Sequence, residues 1–454
     1  MIELRPWQPA APLHRTRMRT IAWFLFVSLT SGWTVAQVPA QDWPMWRGPH
    51  SSGAAAGASL PDPWPEGALK PAWTARLGDG WSSPVVAEDV VVVSDRSGDQ
   101  QRLLGFDAQT GRVLWQRARP VDFDPHAVGR RHGNGPKSTP LIHAGRAYGL
   151  GIAGWLACVD LRNGELVWEI DLPAKYATRQ ALPDGRAFVD REDAVIVPVG
   201  QGQGAPVPLF GYTGSPVLEG ERLIAPVGGA KGATLMAFDT ATGRELWRSL
   251  DDHLSYSSPI VATLAGRRQV VYMTGSRVVG LDVADGRLLW SYPFQVQYDE
   301  SIATPIVIGE LVVITGDGHA GTALRIAPRS GRLEASLAWE NDDLSSYLSS
   351  MVSDGQQIFG MNDGGEFACV DPAQGKTLWT GGHHGYYSTP VLAGARLLCL
   401  NERGSLLVLA AEPQAFRQLG KSQLADQATW TSPAVGGRWL YVRADEELRA
   451  FRFR

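Results

Sequence analysis

The sequence predicts an all-β fold: an eight-bladed β-propeller of four-stranded antiparallel blades, closed by an N-terminal strand pairing with the C-terminal blade. Three observations carry this. A small-small-Pro-apolar motif recurs along most of the chain. A second motif, small-x-Asp-x3-Gly-x3-Trp, alternates with it. The composition suits many short strands, with 51 Gly and 30 Pro in 454 residues, and Trp (17) outnumbering both Phe (13) and Tyr (11). Apolar residues make up 44% and charged residues 19%, a globular balance. A net charge of −4 offers no broad basic field for nucleic acid. Three Cys, an odd number, exclude a disulfide framework.

The first element is an address. Arg15, Arg17 and Arg19 precede a short apolar run, Ile21 to Leu29, and small residues follow, with cleavage expected after Ala36 or Ala40. Basic flank, short apolar core and small-residue exit are the pattern of a secretory signal. The competing reading is a retained anchor, but the run is short for a bilayer span. Met18 is an alternative start to Met1. The expected organisation is a signal peptide over 1–40, an N-terminal extension over 41–68 and the propeller over 69–454. The product is expected to be exported, periplasmic or extracellular, with no integral membrane segment after signal removal.

The repeats come next. The first motif reads Ser82-Ser83-Pro84-Val85, Ser138-Thr139-Pro140-Leu141, Gly214-Ser215-Pro216-Val217 and Ser257-Ser258-Pro259-Ile260. It continues as Ala303-Thr304-Pro305-Ile306, the degenerate Ser349-Ser350-Met351-Val352, Ser388-Thr389-Pro390-Val391 and Thr431-Ser432-Pro433-Ala434. Its spacing is that of a propeller or array. The second motif is strict at Asp107/Gly111/Trp115, Asp160/Gly164/Trp168, Asp239/Gly243/Trp247, Asp282/Gly286/Trp290 and Asp371/Gly375/Trp379. A strand ends at Asp, whose carboxylate caps the turn, and Gly takes a positive φ. The chain returns as a second strand carrying Trp towards a neighbouring unit. The fifth copy has Gly331, Ala327 in place of Asp, and Trp339; the seventh has only Phe416, expected to stand in for Trp. Between the motifs, Val-rich runs and Gly or acidic turns make hairpins.

The ends decide between a ring and an open stack. The last unit stops after a third strand, Leu448–Arg452, and an orphan Trp strand, Leu69–Trp73, lies at the other end of the chain. Pairing them closes a ring and removes free edges.

These motifs resemble the PQQ-like β-propeller repeat family, over roughly residues 69–454. The resemblance implies that Trp73, Trp115, Trp168, Trp247, Trp290, Trp339 and Trp379 dock neighbouring blades. Asp42-Trp43-Pro44-Met45-Trp46-Arg47-Gly48-Pro49 also resembles a leader of exported members. The family includes quinoprotein alcohol dehydrogenases and non-catalytic outer-membrane-assembly propellers. The dehydrogenases carry an adjacent Cys-Cys pair, or a Cys-x-x-Cys-His haem motif, and long insertions. Here Cys158, Cys369 and Cys399 are isolated, and the sizeable insertions are only about 120–136 and 174–212. Cys158 and Cys369 lie two before the repeat Asp, where other copies have Gly105, Ala237 and Gly280. That slot calls for a small side chain.

Function is sought where the residues three before each motif Pro should cluster, at one mouth of the channel. Trp81, Lys137, Tyr256, Tyr387 and Trp430, with Tyr212 one residue further out in its copy, form an aromatic set with one amine. Such a set suits a planar ring, a sugar or an anion; alternatively the aromatics plug the channel. His126, His132, His253, His383 and His384 are candidate metal ligands, and Asp95/Asp99, Asp317, Asn362/Asp363, Asn401/Glu402 and Asp445/Glu446 candidate calcium ligands. The bland reading, solvated loop histidines and Asx turns, outweighs both, so no metal is assigned. Asp107, Asp160, Asp239, Asp282 and Asp371 recur identically, as turn caps rather than as a singular catalytic acid. The expected function is therefore an exported non-catalytic propeller, a protein-interaction scaffold or a small-ligand or sugar-binding module. Its partner would be a protein or small ligand, not nucleic acid. The alternative is a PQQ-dependent oxidoreductase with a reduced funnel, with PQQ and calcium as cofactors.

Overall fold

A computed structural model describes residues 42–55, 57–65, 67–125, 132–176, 210–229, 231–296 and 301–453. The chain divides into residues 1–37 and 38–454, and every described residue belongs to the second unit. The expected signal peptide, His126 and most of the 174–212 insertion lie outside the described residues.

The strands sort into eight sheets, each built on four antiparallel strands in sequence order. Blade one comprises Val85–Ala87, Val90–Ser97, Gln100–Asp107 and Val113–Pro120. Blades two to seven start at Leu141, Val217, Ile260, Ile306, Val352 and Val391. Blade eight takes Ala434–Gly436, Trp439–Ala444 and Glu447–Arg452 from the C-terminus, and its outermost strand, Trp73–Arg76, from the N-terminus. Trp73 lies opposite Ala450 and Arg76 opposite Glu447. The ring is closed as the orphan strand requires. A two-residue strand, Gly67–Ala68, adds parallel to Gln418–Gln423 at the outer edge of blade seven. Leu172–Tyr176 is one short helical turn after blade two.

Inner and middle strands are the apolar ones. Val90–Val93 and Leu103–Phe106 are buried throughout, whereas outer strands alternate, so the core fills the gaps between blades.

The small-small-Pro motif has a physical basis in those gaps. Six of the eight motif hydroxyls accept the backbone N–H of the matching residue in a neighbouring blade. Ser83 N–H donates to Thr139 Oγ1, Thr139 to Ser215 Oγ and Ser215 to Ser258 Oγ. Thr304 donates to Ser350 Oγ, Ser350 to Thr389 Oγ1 and, across the closure, Ser432 to Ser83 Oγ. These bonds run 2.9–3.3 Å. A hydroxyl collar thus lines the channel and satisfies backbone donors that no strand partner reaches.

The Asp-Gly-Trp motif builds the outer seams. Trp115 Nε1 donates to Leu161 O (2.6 Å) and Trp168 Nε1 to Thr240 O (3.0 Å). Trp247 reaches Val283 O, Trp339 Pro372 O, Trp379 Glu412 O and Trp73 Ala108 O, each in the next blade. A Cβ on Gly111 would meet the Trp73 ring at 2.5 Å, so the turn glycine serves close approach as well as its positive φ of 72°. The small slot two before Asp lies opposite the same blade's Trp: Gly105 faces Trp115, Cys158 faces Trp168 and Cys369 faces Trp379. All three Cys are buried and free.

Two expectations need correction. In blade five, Trp339 pairs with Ala323 in the usual register, which puts Arg325, not Ala327, at the Asp position. The hairpin runs on to Arg329–Arg332, and Ile326, whose carbonyl should receive the blade-four indole, lies within the ladder. Trp290 turns instead to Gln269 Oε1 in its own blade (2.7 Å). In blade seven, the residue at the Trp position is Gly420, opposite Val408. Phe416 occupies the receiving slot and packs back on Trp379 of blade six, ring centroids 5.8 Å apart. The missing indole comes from the N-terminal extension. Trp64 lies against Gly420, where a Cβ would meet it at 2.6 Å, bonds Ser422 Oγ (2.8 Å) and sits 5.1 Å from the Phe453 ring.

Candidate functional site

The channel's two ends are built differently. Inner strands run from the motif end to hairpin turns at the other end. From that second end residues 42–55 enter and fold back, followed by 57–59. Trp43 exchanges both backbone hydrogen bonds with Val86, and Pro44 O accepts Ile142 N–H. Trp46 Nε1 donates to Thr304 Oγ1 (2.9 Å) and Arg47 Nη2 to Met351 O (2.5 Å), so the tip lies at the hydroxyl collar. The return leg bonds Leu392 through Gly53 O and Ala55 N–H, and Gly437 O through Ser59 N–H. Trp43 is 2% and Arg47 1% exposed, and Trp46 is half-buried. Burial pulls the Arg47 guanidinium down to about 10. Asp42, beside Glu88 and Asp89, is pushed up to about 6, mainly by burial and then by those two charges.

The opposite mouth carries aromatic rings. Tyr387 lies 5.7 Å from Trp430, Trp430 6.1 Å from His132, His132 5.6 Å from Phe210 and Phe210 5.3 Å from Tyr256. Trp81 joins through Nε1, which donates to His132 O (3.0 Å). This arc runs from blade seven to blade four; the remaining blades present Ile302 and Leu348 at the same position. Trp81, Tyr256 and Trp430 are half-buried, Tyr387 is buried, and neighbouring Tyr386 is 65% exposed. Lys137 Nζ makes two long bonds, to Gly133 O (3.3 Å) and Phe210 O (3.4 Å). Burial lowers its amine to about 8.

Five of the six sequence candidates thus lie in or beside this arc. Tyr212 does not: it is buried in the core, 1% exposed, and its hydroxyl donates to Val227 O. Two rings of the arc were not read from the sequence. Phe210 lies six residues before its motif Pro, in the long insertion; His132 was weighed only as a metal ligand.

Several of the other candidates are occupied locally. Asp95 is buried, binding Arg102 and the Gly78 N–H. Asn401 Oδ1 accepts Arg403 and Ser405 N–H, and Glu402 faces the Tyr386 and Tyr387 N–H groups. His384 is buried with Nε2 3.2 Å from Cys399 O and Ser405 O, and burial lowers its pKa. The repeat aspartates accept turn N–H groups, as Asp107 does from Gln109 and Thr110, and the Thr110 hydroxyl holds its carboxyl below the usual range. Among the described residues no three His, Cys, Asp or Glu side chains converge as a metal would require. PQQ is a tricarboxylate that binds with calcium in its dehydrogenases. The described mouth offers planar faces, one amine and the Glu402 carboxylate.

A sequence model described as outer membrane protein assembly factor BamB matches residues 69–209 and 126–381. BamB of Burkholderia pseudomallei is 28% identical over 270 residues, 55% of this chain and 65% of that one. Tetrathionate hydrolase of Acidithiobacillus ferrooxidans is 23% identical over 279 residues, 53% and 50% of the two chains. This chain therefore spans half to two thirds of the length of these curated relatives. Among solved structures, BamB from Moraxella catarrhalis superposes with a TM-score of 0.56 at 16% identity, covering 85% of this chain and 98% of that one. Quinohemoprotein alcohol dehydrogenase from Comamonas testosteroni gives 0.58 at 13% identity, covering 91% and 80%. Such likeness speaks for the fold alone. No helix among the described residues is long and apolar enough to cross a membrane. With its repeat motifs, ring closure and the family match over more than half its length, the chain belongs to the BamB family of PQQ-like β-propellers.

Proposed function

We propose that the protein is an exported, non-catalytic propeller that binds a ring-bearing ligand, a sugar or a ring displayed by a partner protein, at its aromatic mouth. The observation that carries this is the arc Tyr387–Trp430–His132–Phe210–Tyr256 beside Lys137, above a channel closed from the other end. Half-buried Trp and Tyr faces favour ring stacking, and the amine adds a donor. Relatives named as outer membrane assembly factors support a scaffold role in the cell envelope.

The test is a glycan and small-ligand screen on the purified protein, repeated with Tyr256→Ala and Trp430→Ala. Binding that disappears in both variants at unchanged melting temperature supports the reading; binding that persists in both rejects the mouth. The oxidoreductase alternative is tested by titration with PQQ and calcium. Saturable quinone binding with dye-linked alcohol oxidation would replace the non-catalytic reading.

A further inference from the structure

We propose that the propeller channel is a receptor for an extended peptide, and that residues 42–59 are its resident, tethered ligand. The ligand class is a segment of pattern Trp-Pro-x-Trp-Arg-Gly. An inner strand pairs on one side only, so its other edge points unpaired into the channel. The segment adds to those edges as a recognised peptide adds to a sheet edge. It exchanges two backbone bonds with Val86 of blade one and two with Leu392 of blade seven, and takes one from Ile142 of blade two. Side-chain bonds then read its sequence: the Trp46 indole on Thr304 of blade five and the Arg47 guanidinium on Met351 O of blade six. Pro44 is tolerated because only its carbonyl is used.

The segment is also organised by itself. Gly48 N–H donates to Met45 O and Gly53 N–H to Arg47 O. Arg47 Nε and Nη2 bond Ser51 O and Ser52 O (both 3.2 Å). Trp43 packs on Gly48, where a Cβ would meet its ring at 2.5 Å. A loop that holds its own bound shape loses little freedom on binding. Tethering gives it a high effective concentration, so in the intact chain it excludes competitors. The site is separate from the aromatic mouth and does not depend on what binds there.

The experiment severs the tether after folding. A protease site is inserted between Ser59, exposed, and Leu60 in the full chain. The folded protein is cut and challenged with a fluorescent synthetic peptide of residues 42–59. We expect the cut leader to co-elute with the ring, and the labelled peptide to exchange in, saturating at one per ring. A peptide carrying W43A and R47A should compete at least about thirtyfold more weakly, since buried Trp and Arg are the usual anchors. Failure of the labelled peptide to enter a ring that stays folded would overturn the proposal. So would unfolding of the ring on cutting, which would make the segment part of the core. Equal competition by the double variant would also overturn it, by removing sequence recognition.

Discussion

The seam between blades two and three and the seam between blades seven and eight do the same job by different covalent routes. At the first, Trp168 grows from its own blade's outer strand and its indole reaches Thr240 O next door. At the second, the outer strand offers only Gly420, and Trp64 arrives from over three hundred residues earlier to lie on it and touch Phe453. The slot is set by neighbouring surfaces: a small outer position, an apolar floor and a polar atom within reach of the indole N–H. Any segment that reaches it can fill it. The seam between blades four and five shows a third outcome: the indole is present but its acceptor turn is extended into a ladder, so Trp290 bonds Gln269.

The comparison breaks most visibly at its regular member. Trp168→Ala should cost about 3–5 kcal/mol, the usual loss for a buried Trp, read by denaturant unfolding. Trp64→Ala should cost about 3 kcal/mol, despite lying outside the repeats. The slot's identity is sharpened by Gly420→Trp. Alone it should destabilise by collision with Trp64; combined with Trp64→Ala it should recover most of the loss. No recovery would mean the two positions are not equivalent. Gln269→Leu should cost about 1–3 kcal/mol, by leaving the buried Trp290 N–H unpaired; the same melt measures it.

The smallest effect is one of pH. Folded Asp42 titrates near 6 against an ordinary 3.8. The native state therefore binds that proton more tightly. The stability it contributes is full below about 3.8 and is lost as pH rises through 6. Asp42→Asn should raise the melting temperature at pH 7 and flatten its fall between pH 4 and 6. An unchanged pH profile would show that burial beside Glu88 and Asp89 does not raise the Asp42 carboxyl.

The repeats were legible because each motif residue answers a local demand repeated around the ring: a hydroxyl for the collar, Asp for the turn, Trp for the seam. Ring closure followed from counting strands at the two ends. Trp64 and the channel segment were not legible, because a single residue filling a distant slot leaves no period to detect. The mouth was partly legible. Counting back three from each Pro finds Trp81, Lys137, Tyr256, Tyr387 and Trp430, whereas Tyr212, taken one residue further out, turns its ring into the core. Phe210 and His132 reach the arc from connections with no fixed spacing to the motif.

The central claim is that the N-terminal arm completes the ring, supplying Trp64 at the seam of blades seven and eight and Trp73–Arg76 as the outermost strand of blade eight, while the channel segment before them sits as a ligand. The most direct measurement is thermal unfolding of a chain that begins at Gly78 beside the parent. The account predicts a large drop in melting temperature, or loss of a cooperative transition. A truncated chain that melts like the parent would contradict it.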